Sequence, residues 1–486
     1  MSTVLVWFRR DLRLTDHPAL LAATAEGHRV IPVYIHAPDE EGPGAPGAAS
    51  RWWLHRSLTS LSQELRHRGS RLVIRSGPSL AALRSLLKET GATEVHWNRA
   101  YEPALTARDA HIKSTLREEG CTVQSHCGNV LFEPWQVKSG AGTPFRVFTP
   151  FWKHCLSRLE EIPRPRPAPE QLPAPSQWPD SLPVDALALN PSIGWDSGLA
   201  KDWVPGEPAA LAQLEAFLEQ HAGGYKELRD RPDLRATSRL APALHFGEIS
   251  PRQILAASRS AATAAAPGEA AGIDAFVREV GWREFAIHIL YAFPHTVDSP
   301  LDRRFTALPW QTDEQVLRAW QRGRTGIPLV DAGMRELWHT GWMHNRVRMV
   351  VASWLTKNLG QHWLHGARWF HDTLVDADLA ANTLGWQWTA GCGADAAPYY
   401  RIFNPILQSE RFDPLRRYIR AWVPELAGLP DAWIHKPHEA PAHVLLAAGI
   451  ALGRDYPLPL VDLPASRDRA LAAYESVKAA SASERI

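Results

Sequence analysis

The stretch DADLAANTLGWQW, residues 376–388, places carboxylates, amides and indoles close together. Asp376 and Asp378 are the kind of side chain that acid catalysis uses, whereas Trp386 and Trp388 are typical of a packed core. A site for a large planar cofactor would use both. Taken alone, Asp376 could equally be the N-cap of a helix and Trp386 a core residue. Acid catalysis, ordinary packing and a cofactor site therefore all remain open at this point.

A second stretch, TSRLAPALHFGEISP (237–251), has the composition of a phosphate site. Thr237, Ser238 and Arg239 stand just before a predicted helix that has Pro242 near its first turn. Hydroxyls, a guanidinium and free backbone amides at a helix N-terminus suit a phosphate group. An ordinary Ser/Thr helix cap is the alternative interpretation.

A third stretch, FVREVGWREFAIHIL (276–290), places Glu279, Trp282 and Arg283 within about one turn of a predicted helix. A carboxylate–guanidinium pair at this spacing is usually a structural or solvated ion pair. The surrounding aromatic residues favour a functional role here.

A fourth stretch, LWHTGWMHNRVRMVVASW (337–354), interleaves basic and aromatic side chains. That combination suits single-stranded nucleic acid. Histidines in and after this stretch could suggest a metal, but no HExxH or comparable ligand spacing is present. We therefore predict no metal site.

The totals exclude some classes and leave others open. The 486 residues, of which 45% are hydrophobic, suit a globular protein of two or three domains. The net charge of +1 neither supports nor excludes a nucleic-acid partner, because binding needs a local basic patch. The four cysteines form no CxxC pair, which suits a reducing cytosol, and only Cys392 lies in the second half, which excludes a four-thiolate iron–sulfur cluster there. No stretch has the length of a signal peptide or a membrane span, so we expect a cytoplasmic protein.

The elements that must position these residues change along the chain. Short apolar runs at 4–8, 29–36, 71–77, 93–98 and 121–126 alternate with helical patterns at 50–68, 79–89 and 103–119, which predicts a doubly wound parallel sheet over residues 1–130. Asp16 is a candidate N-cap for a helix beginning near Pro18. Residues 131–208 form a proline-rich linker, with eleven prolines between 161 and 210. Residues 209–486 show helical patterns, for example at 273–291, 345–358 and 361–373.

Together with VWFRRDLRLTDHPAL (6–20), WREF (282–285), GIPLVDAGMRELWHTGWMHNRVRM (326–349) and APYYRIFNP (397–405), these motifs resemble the photolyase/cryptochrome family over nearly the whole chain. The resemblance implies an α/β N-terminal domain that binds a light-harvesting antenna, at 1–130. It also implies an all-α catalytic domain that holds FAD in a bent shape, at 209–486. This order agrees with the elements predicted above.

The resemblance also implies which residues hold the cofactor. The FAD contacts would be Tyr225, Thr237, Ser238, Arg239, Leu240, Ala241, Phe276, Asp376, Asp378 and Asn382. Ala241 departs from the serine that is frequent at its position, and Phe276 stands where some relatives have tryptophan. Asn382 would face the reactive edge of the flavin ring, where a neutral amide can hydrogen-bond without readily giving up a proton. Trp386, Trp363 and Trp310 match the electron-transfer chain of the family, since indole is easily oxidised.

The implied substrate is a cyclobutane pyrimidine dimer in single- or double-stranded DNA, split by an electron from excited reduced FAD. Its contacts would be Arg229, Glu279, Trp282, Asn345, Arg346, Met349 and Trp388. Flipping the dimer out of the duplex costs a few kcal/mol. Stacking on Trp282 and Trp388 returns about 1–3 kcal/mol per base. Glu279 would stabilise the charge that develops on the dimer.

Two alternatives, the antenna and the oligomeric state remain as expectations. Photolyases for (6-4) products carry two histidines where this chain has Asn345 and Met349, which favours cyclobutane dimers. A cryptochrome-like blue-light photoreceptor is the other alternative, and Asn382 argues against it because plant cryptochromes have aspartate there. Glu102 matches an antenna contact of some relatives, so we expect a reduced folate, 5,10-methenyltetrahydrofolate, as antenna. We expect a monomer with no membrane partner.

Overall fold

The N-terminal part of the computed structural model, which describes residues 2–25, 27–396 and 400–483, is built on a five-stranded parallel sheet. The strands are β1 Thr3–Phe8, β2 Arg29–His36, β3 Val73–Ser76, β4 Glu94–Asn98 and β5 Thr122–His126, in the order β3-β2-β1-β4-β5. The helices between them are α1 Pro18–Ala25, α2 Ala48–His67, α3 Ser79–Thr90 and α4 Pro103–Glu118. The predicted α/β fold is confirmed.

Strand β1 shows why its apolar run forms a central strand. All residues from Val4 to Phe8 are buried. Val4, Val6 and Phe8 belong to one hydrophobic cluster with α1 and α2, whereas Leu5 and Trp7 belong to a second cluster with α3 and α4. Alternate side chains of a strand point to opposite faces, so a continuous apolar run is what a sheet covered on both sides requires.

Beyond β5, the regular elements of the described residues are helices, apart from two isolated β-bridges. Between β5 and residue 221 lie α5 Phe148–Leu156, α6 Ser197–Asp202 and α7 Glu207–Gln220. The others are α8 Tyr225–Leu228, α9 Ala241–His245, α10 Pro251–Ala264, α11 Ala270–Ala292, α12 Glu314–Gln321, α13 Pro328–Thr340, α14 Asn345–Ser353, α15 Trp363–Thr373, α16 Leu379–Ala390, α17 Pro405–Phe412, α18 Arg417–Trp422, α19 Ala442–Ala447 and α20 Leu463–Ser483. The predicted all-α second part is confirmed.

Two details differ from the sequence prediction. The proline-rich segment contains α5, whose Phe151 and Trp152 pack into a core with α11, and Gly281 of α11 leaves room for the Trp152 ring. The helix predicted at 345–358 is α14 followed by one turn of π-helix, Trp354–Asn358. The first three residues of APYYRIFNP, 397–399, lie outside the described residues.

The loop after β1 joins the two parts of the molecule. Arg13 is fully buried and donates to the carbonyl oxygens of Gly247 (3.0 Å) and Gly128 (2.6 Å). Asp16 accepts from Ser250 Oγ (2.6 Å) and Arg252 Nε (3.0 Å) at the start of α10. Asp16 is therefore not the N-cap of α1.

That capping role is taken by His17, whose Nδ1 accepts from the backbone N–H of Leu20 (3.0 Å). The motif VWFRRDLRLTDHPAL thus supplies a strand, an interdomain contact and a helix cap. Among the described residues, no helix is both long enough and apolar enough to cross a bilayer.

Candidate functional site

Helix α16 carries four of the predicted site residues. Asp378 is its N-cap and accepts from the backbone N–H of Ala381 (2.8 Å). Asp376, the sequence candidate for this cap, forms an ion pair with Arg348 instead (2.8 Å). Asn382 and Trp386 follow at a spacing of four residues, which puts them on one face of the helix.

The Asp378 carboxylate is held in its ionised form. Burial alone would raise its pKa, but the nearby charges of His245 and Arg283 hold the pKa of Asp378 well below its usual range. Nδ1 of His245 lies 3.8 Å from Oδ2 of Asp378. Because His245 ends α9, this contact brings the segment 237–241 next to the start of α16.

The segment 237–241 is ordered around Arg239. This residue adopts a left-handed backbone conformation (φ 52°), and its guanidinium lies over the rings of Trp203 (4.1 Å) and Trp342 (5.0 Å). Asp202 is 3.7 Å away, and Nε of Arg239 is buried without a hydrogen-bond partner. Burial lowers the pKa of Arg239, and Asp202 opposes that effect.

The alternative of an ordinary helix cap does not describe this segment. Helix α9 has Leu240 at its N-cap position and no side-chain cap hydrogen bond. Ser238 Oγ accepts only a long bond from the backbone N–H of Leu240 (3.5 Å). Thr237 is half-buried and Ala241 begins the helix.

Tyr225 and Phe276 belong to a small aromatic cluster beside this region. Their rings lie 5.8 Å apart, and both contact Phe217, at 5.7 and 4.6 Å. Phe276 is therefore packed within this aromatic cluster. Arg229 lies above the Tyr225 ring at 5.7 Å.

Two of the predicted DNA contacts form ion pairs with the consecutive residues Arg229 and Asp230. Glu279 pairs with Arg229, and Arg346 pairs with Asp230 (2.9 Å). The pairing of Glu279 with Arg283, suggested by their spacing, is wrong. Arg283 instead donates to the backbone carbonyl of Asn129 (2.8 Å). Glu279 thus pairs with Arg229, directly after α8, and not with its neighbour on the same helix.

Glu279 has an altered acidity. Burial raises the pKa of its carboxyl group above the ordinary value, although the charge of Arg229 opposes the shift.

On α14, Asn345 is exposed at the first position, and Met349 Sδ lies 3.7 Å from the guanidinium of Arg346. His344 caps this helix through Nδ1, which accepts from the backbone N–H of Arg346 (3.2 Å).

Trp282 and Trp388 are linked through a residue that the sequence analysis missed. Trp282 stacks on Phe148 (ring centroids 3.8 Å apart), and the backbone N–H of Phe148 donates to Oδ1 of Asp395 (3.3 Å). Nε1 of Trp388 donates to the carbonyl oxygen of Asp395 (3.0 Å). Asp395 has a positive φ of 54°, which Asp tolerates better than most residues. The signal in the sequence is a single aspartate among small residues, in GADAA (393–397), which could have indicated Asp395.

Beside Trp388 opens a cavity of about 880 Å³. Its charged lining consists of Asp302, Asp395, Arg146, Arg303, Arg304 and Arg401. Four arginines against two carboxylates, next to an indole, make this a basic pocket suited to a nucleic-acid strand.

The three tryptophans of the predicted chain differ in exposure. Trp386 and Trp363 are buried in one core, at 2% and 1% exposure, and Trp310 is partly exposed against that core. His362 lies between Trp310 (4.9 Å) and Trp363 (5.8 Å). Trp386 also contacts Trp320 edge-on (6.1 Å), a neighbour that the sequence analysis did not single out.

Glu102 follows β4, which lies next to β1 in the sheet. Between these two strands the order of the strands reverses, which makes this the switch point of the sheet. The Glu102 carboxylate accepts from Arg10 (2.5 Å), which also binds Glu41 (2.8 Å). The crevice at such a switch point is where open α/β sheets bind ligands. In the part of the chain that the structure describes, no group of three or more His, Cys, Asp or Glu side chains could hold a metal.

Comparisons with known proteins indicate the family. Family models for DNA photolyase and for the FAD binding domain of DNA photolyase match residues 4–174 and 276–476. A deoxyribodipyrimidine photo-lyase of Agrobacterium fabrum is 48% identical over 98% of both chains. Cryptochrome-2 of Arabidopsis thaliana is 42% identical, over 96% of this chain and 77% of the plant protein.

Among solved structures, a class III photolyase from Agrobacterium tumefaciens matches with a TM-score of 0.94 at 48% identity, covering 98% of both chains. The resemblance seen in the sequence is confirmed: this chain belongs to the photolyase/cryptochrome family.

Proposed function

We propose that this protein binds FAD and uses light to repair cyclobutane pyrimidine dimers in DNA. The observation that carries the proposal is the arrangement on α16. Asn382 and Trp386 lie on one face of this helix, whereas Trp388 lines the basic pocket. One rigid element therefore places the predicted cofactor contacts and a substrate wall in a fixed relation to each other.

The residues present fit FAD. The segment 237–241 offers a buried guanidinium nitrogen, Arg239 Nε, that has no hydrogen-bond partner among the residues that the structure describes. A buried donor without a partner is costly unless a ligand satisfies it, and a phosphate is a suitable acceptor. Asn382 is held in place by its donation to the carbonyl oxygen of Ala367 on α15 (2.9 Å). Bound in reduced form, FAD would supply the excited-state electron for opening the cyclobutane ring and would take that electron back once the ring is split.

The chain's own side chains then bind and polarise the dimer. Trp282 and Trp388 supply stacking surfaces, and the stack on Phe148 together with the bond to Asp395 keeps them oriented. Arg346 binds a phosphate of the dimer strand. Glu279 in its protonated form donates a hydrogen bond to a carbonyl oxygen of the dimer, where negative charge develops. Burial raises the pKa of this carboxyl group and so eases its protonation, whereas Arg229 opposes that shift.

The two alternatives make different demands on the same site. A (6-4) photolyase would need proton-donating histidines, but α14 carries Asn345 and Met349 at the matching positions. A photoreceptor role is favoured by the 42% identity to a plant cryptochrome. It would not require the dimer contacts Glu279, Trp282 and Arg346, all of which this chain has.

The test is repair of a short oligonucleotide that carries one thymine dimer, with the flavin reduced beforehand, under blue light and in the dark. We expect the thymines to be restored only in the light. Photoreducible FAD without any repair would contradict the proposal and support the photoreceptor role. The same assay on a (6-4) product decides the lesion class.

The antenna belongs to the same proposal. We propose a reduced folate in the α/β domain, supported by Glu102 at the sheet's switch point. The test is the absorption spectrum of the chromophores released from the purified protein. A second flavin in place of folate would contradict this assignment.

A further inference from the structure

Two consecutive residues after α8 hold two of the proposed DNA contacts. Arg229 pairs with Glu279 of α11, and Asp230 pairs with Arg346 of α14. The guanidinium of Arg346 donates twice to Oδ1 of Asp230, from Nη2 (2.9 Å) and Nε (3.3 Å), and also lies over the ring of Phe412 (4.5 Å). The group expected to bind a DNA phosphate is therefore neutralised by a carboxylate.

The Asp230 carboxylate uses the N–H donors that a phosphate would use. Arginine binds carboxylates and phosphates with the same fork of N–H donors. The Asp230 side chain is 36% exposed and that of Arg346 is 18% exposed, so solvent and a ligand can reach the pair. A phosphate that reaches the pair competes with Asp230 for the same donors.

We propose that Asp230 is a specificity-determining residue, which reserves Arg346 for the dimer strand. The inference rests on the proposed function. In the free protein, Asp230 cancels the charge of Arg346, so the phosphates of undamaged DNA gain nothing from it. When a flipped-out dimer enters, its stacking and hydrogen bonds bring a phosphate close enough to replace Asp230. Arg346 then contributes to dimer binding and not to general binding.

The experiment compares Asp230→Asn with the wild-type protein, as full chains with bound flavin. Binding is measured over a range of salt concentrations, to one duplex oligonucleotide with a single thymine dimer and to the same duplex without it. One additional phosphate contact steepens the slope of log K against log salt by about 0.9. We expect that change on undamaged DNA, with binding about 3- to 10-fold tighter at low salt, from one extra phosphate contact. On dimer DNA the slope stays unchanged, so the preference for damage falls.

Two controls separate this effect from general charge. Glu119→Gln also removes one negative charge and breaks an arginine pair, with Arg84 on the α/β domain (3.0 Å), and it is expected to bind both DNAs like the wild type. Asp230→Glu keeps a carboxylate beside Arg346 and should restore the wild-type preference. In an Arg346→Ala background, Asp230→Asn should have no effect.

The outcomes are distinguishable. If Asp230→Asn binds undamaged DNA like Glu119→Gln, or tightens both DNAs equally, the inference is wrong. The same holds if its effect persists without Arg346. If the wild-type protein neither prefers dimer DNA nor repairs it, the proposed function fails, whereas the undamaged-DNA comparison still tests whether Asp230 masks Arg346.

Discussion

Gly366 on α15 lies directly against the indole of Trp386, and this contact predicts what an added methyl group would do. In Gly366→Ala, the new Cβ would lie no more than 2.5 Å from three ring carbons of Trp386, where ordinary contact begins at 3.4 Å. The ring must therefore retreat by about 1 Å or more. Phe370 and Trp320 pack against it edge-on, at 5.0 and 6.1 Å between centroids, and limit where it can go. Overpacking of this kind costs about 1–3 kcal/mol of unfolding free energy.

Because the displaced indole is the first proposed electron donor to the flavin, we expect slower photoreduction of oxidised flavin in Gly366→Ala. Repair by chemically reduced protein should be largely retained. Gly385→Ala is the matched control for stability, since it adds the same methyl group on α16, at an exposed position where the new Cβ meets no protein atom within 4 Å. The assays are loss of oxidised-flavin absorbance in blue light, repair after dithionite reduction, and thermal unfolding. Wild-type photoreduction in Gly366→Ala, with stability equal to that of Gly385→Ala, would refute the reasoning.

Three further predictions concern other groups. Burial raises the pKa of Glu248 to about 8, from an ordinary value near 4.5, so the native state holds this proton more tightly than the unfolded chain. Wild-type stability should therefore fall as pH rises from about 4.5 through 8, by an upper limit of about 5 kcal/mol. Glu248→Gln stays neutral, so its denaturation curves at pH 5.5 and 8.5 should differ less than those of the wild type; an equal difference would contradict the assignment. Because burial raises the pKa of Glu279, the rate of light-driven repair should decline as pH rises through that pKa. The flavin is reduced chemically in the dark beforehand, so that this rate reports repair alone. Glu279→Gln should lose this pH step, and Glu279→Ala should be about 10- to 100-fold slower than the wild type below that pKa, from loss of one strong hydrogen bond; a wild-type profile in either variant would count against the role of Glu279. Trp388→Ala should weaken binding of dimer DNA by about 1–3 kcal/mol, the value of one stacked base, as measured by fluorescence titration; unchanged affinity would exclude Trp388 as a stacking wall.

The strands and long helices could be predicted because their signals are local. The runs at 4–8 and 29–36 are apolar at every position that a doubly covered sheet buries, and β2 has the predicted bounds. Helix α5, Phe148–Leu156, was missed because it lies within residues 131–208, which the prolines between 161 and 210 marked as a linker. Its stability comes from packing of Phe151 and Trp152 against α11, which no local pattern reveals.

The sequence could name candidate residues for the site but not the partners that hold them. Spacing suggested Arg283 for Glu279 and an N-cap role for Asp16. The structure gives these carboxylates partners 50 and more than 200 residues away, in Arg229 and in Ser250 and Arg252. Sequence spacing describes one helix, whereas a buried carboxylate takes whichever donor the tertiary fold brings to it. Asp395 escaped attention for the same reason, since its role is to join Phe148 to Trp388.

Helix α16 separates two processes that the proposed reaction must keep apart. Trp386 and Trp388 are two residues apart, which is about 200° around a helix, so they face opposite sides. Trp386 packs against α15, and Trp388 faces the basic pocket. Substitutions on the two faces share no contact and should act independently. We therefore expect Gly366→Ala/Trp388→Ala to combine the photoreduction defect of one with the binding defect of the other, without enhancement. A double variant whose dimer affinity or photoreduction rate departs from the matching single variant would show that α16 transmits strain between the faces instead of separating them.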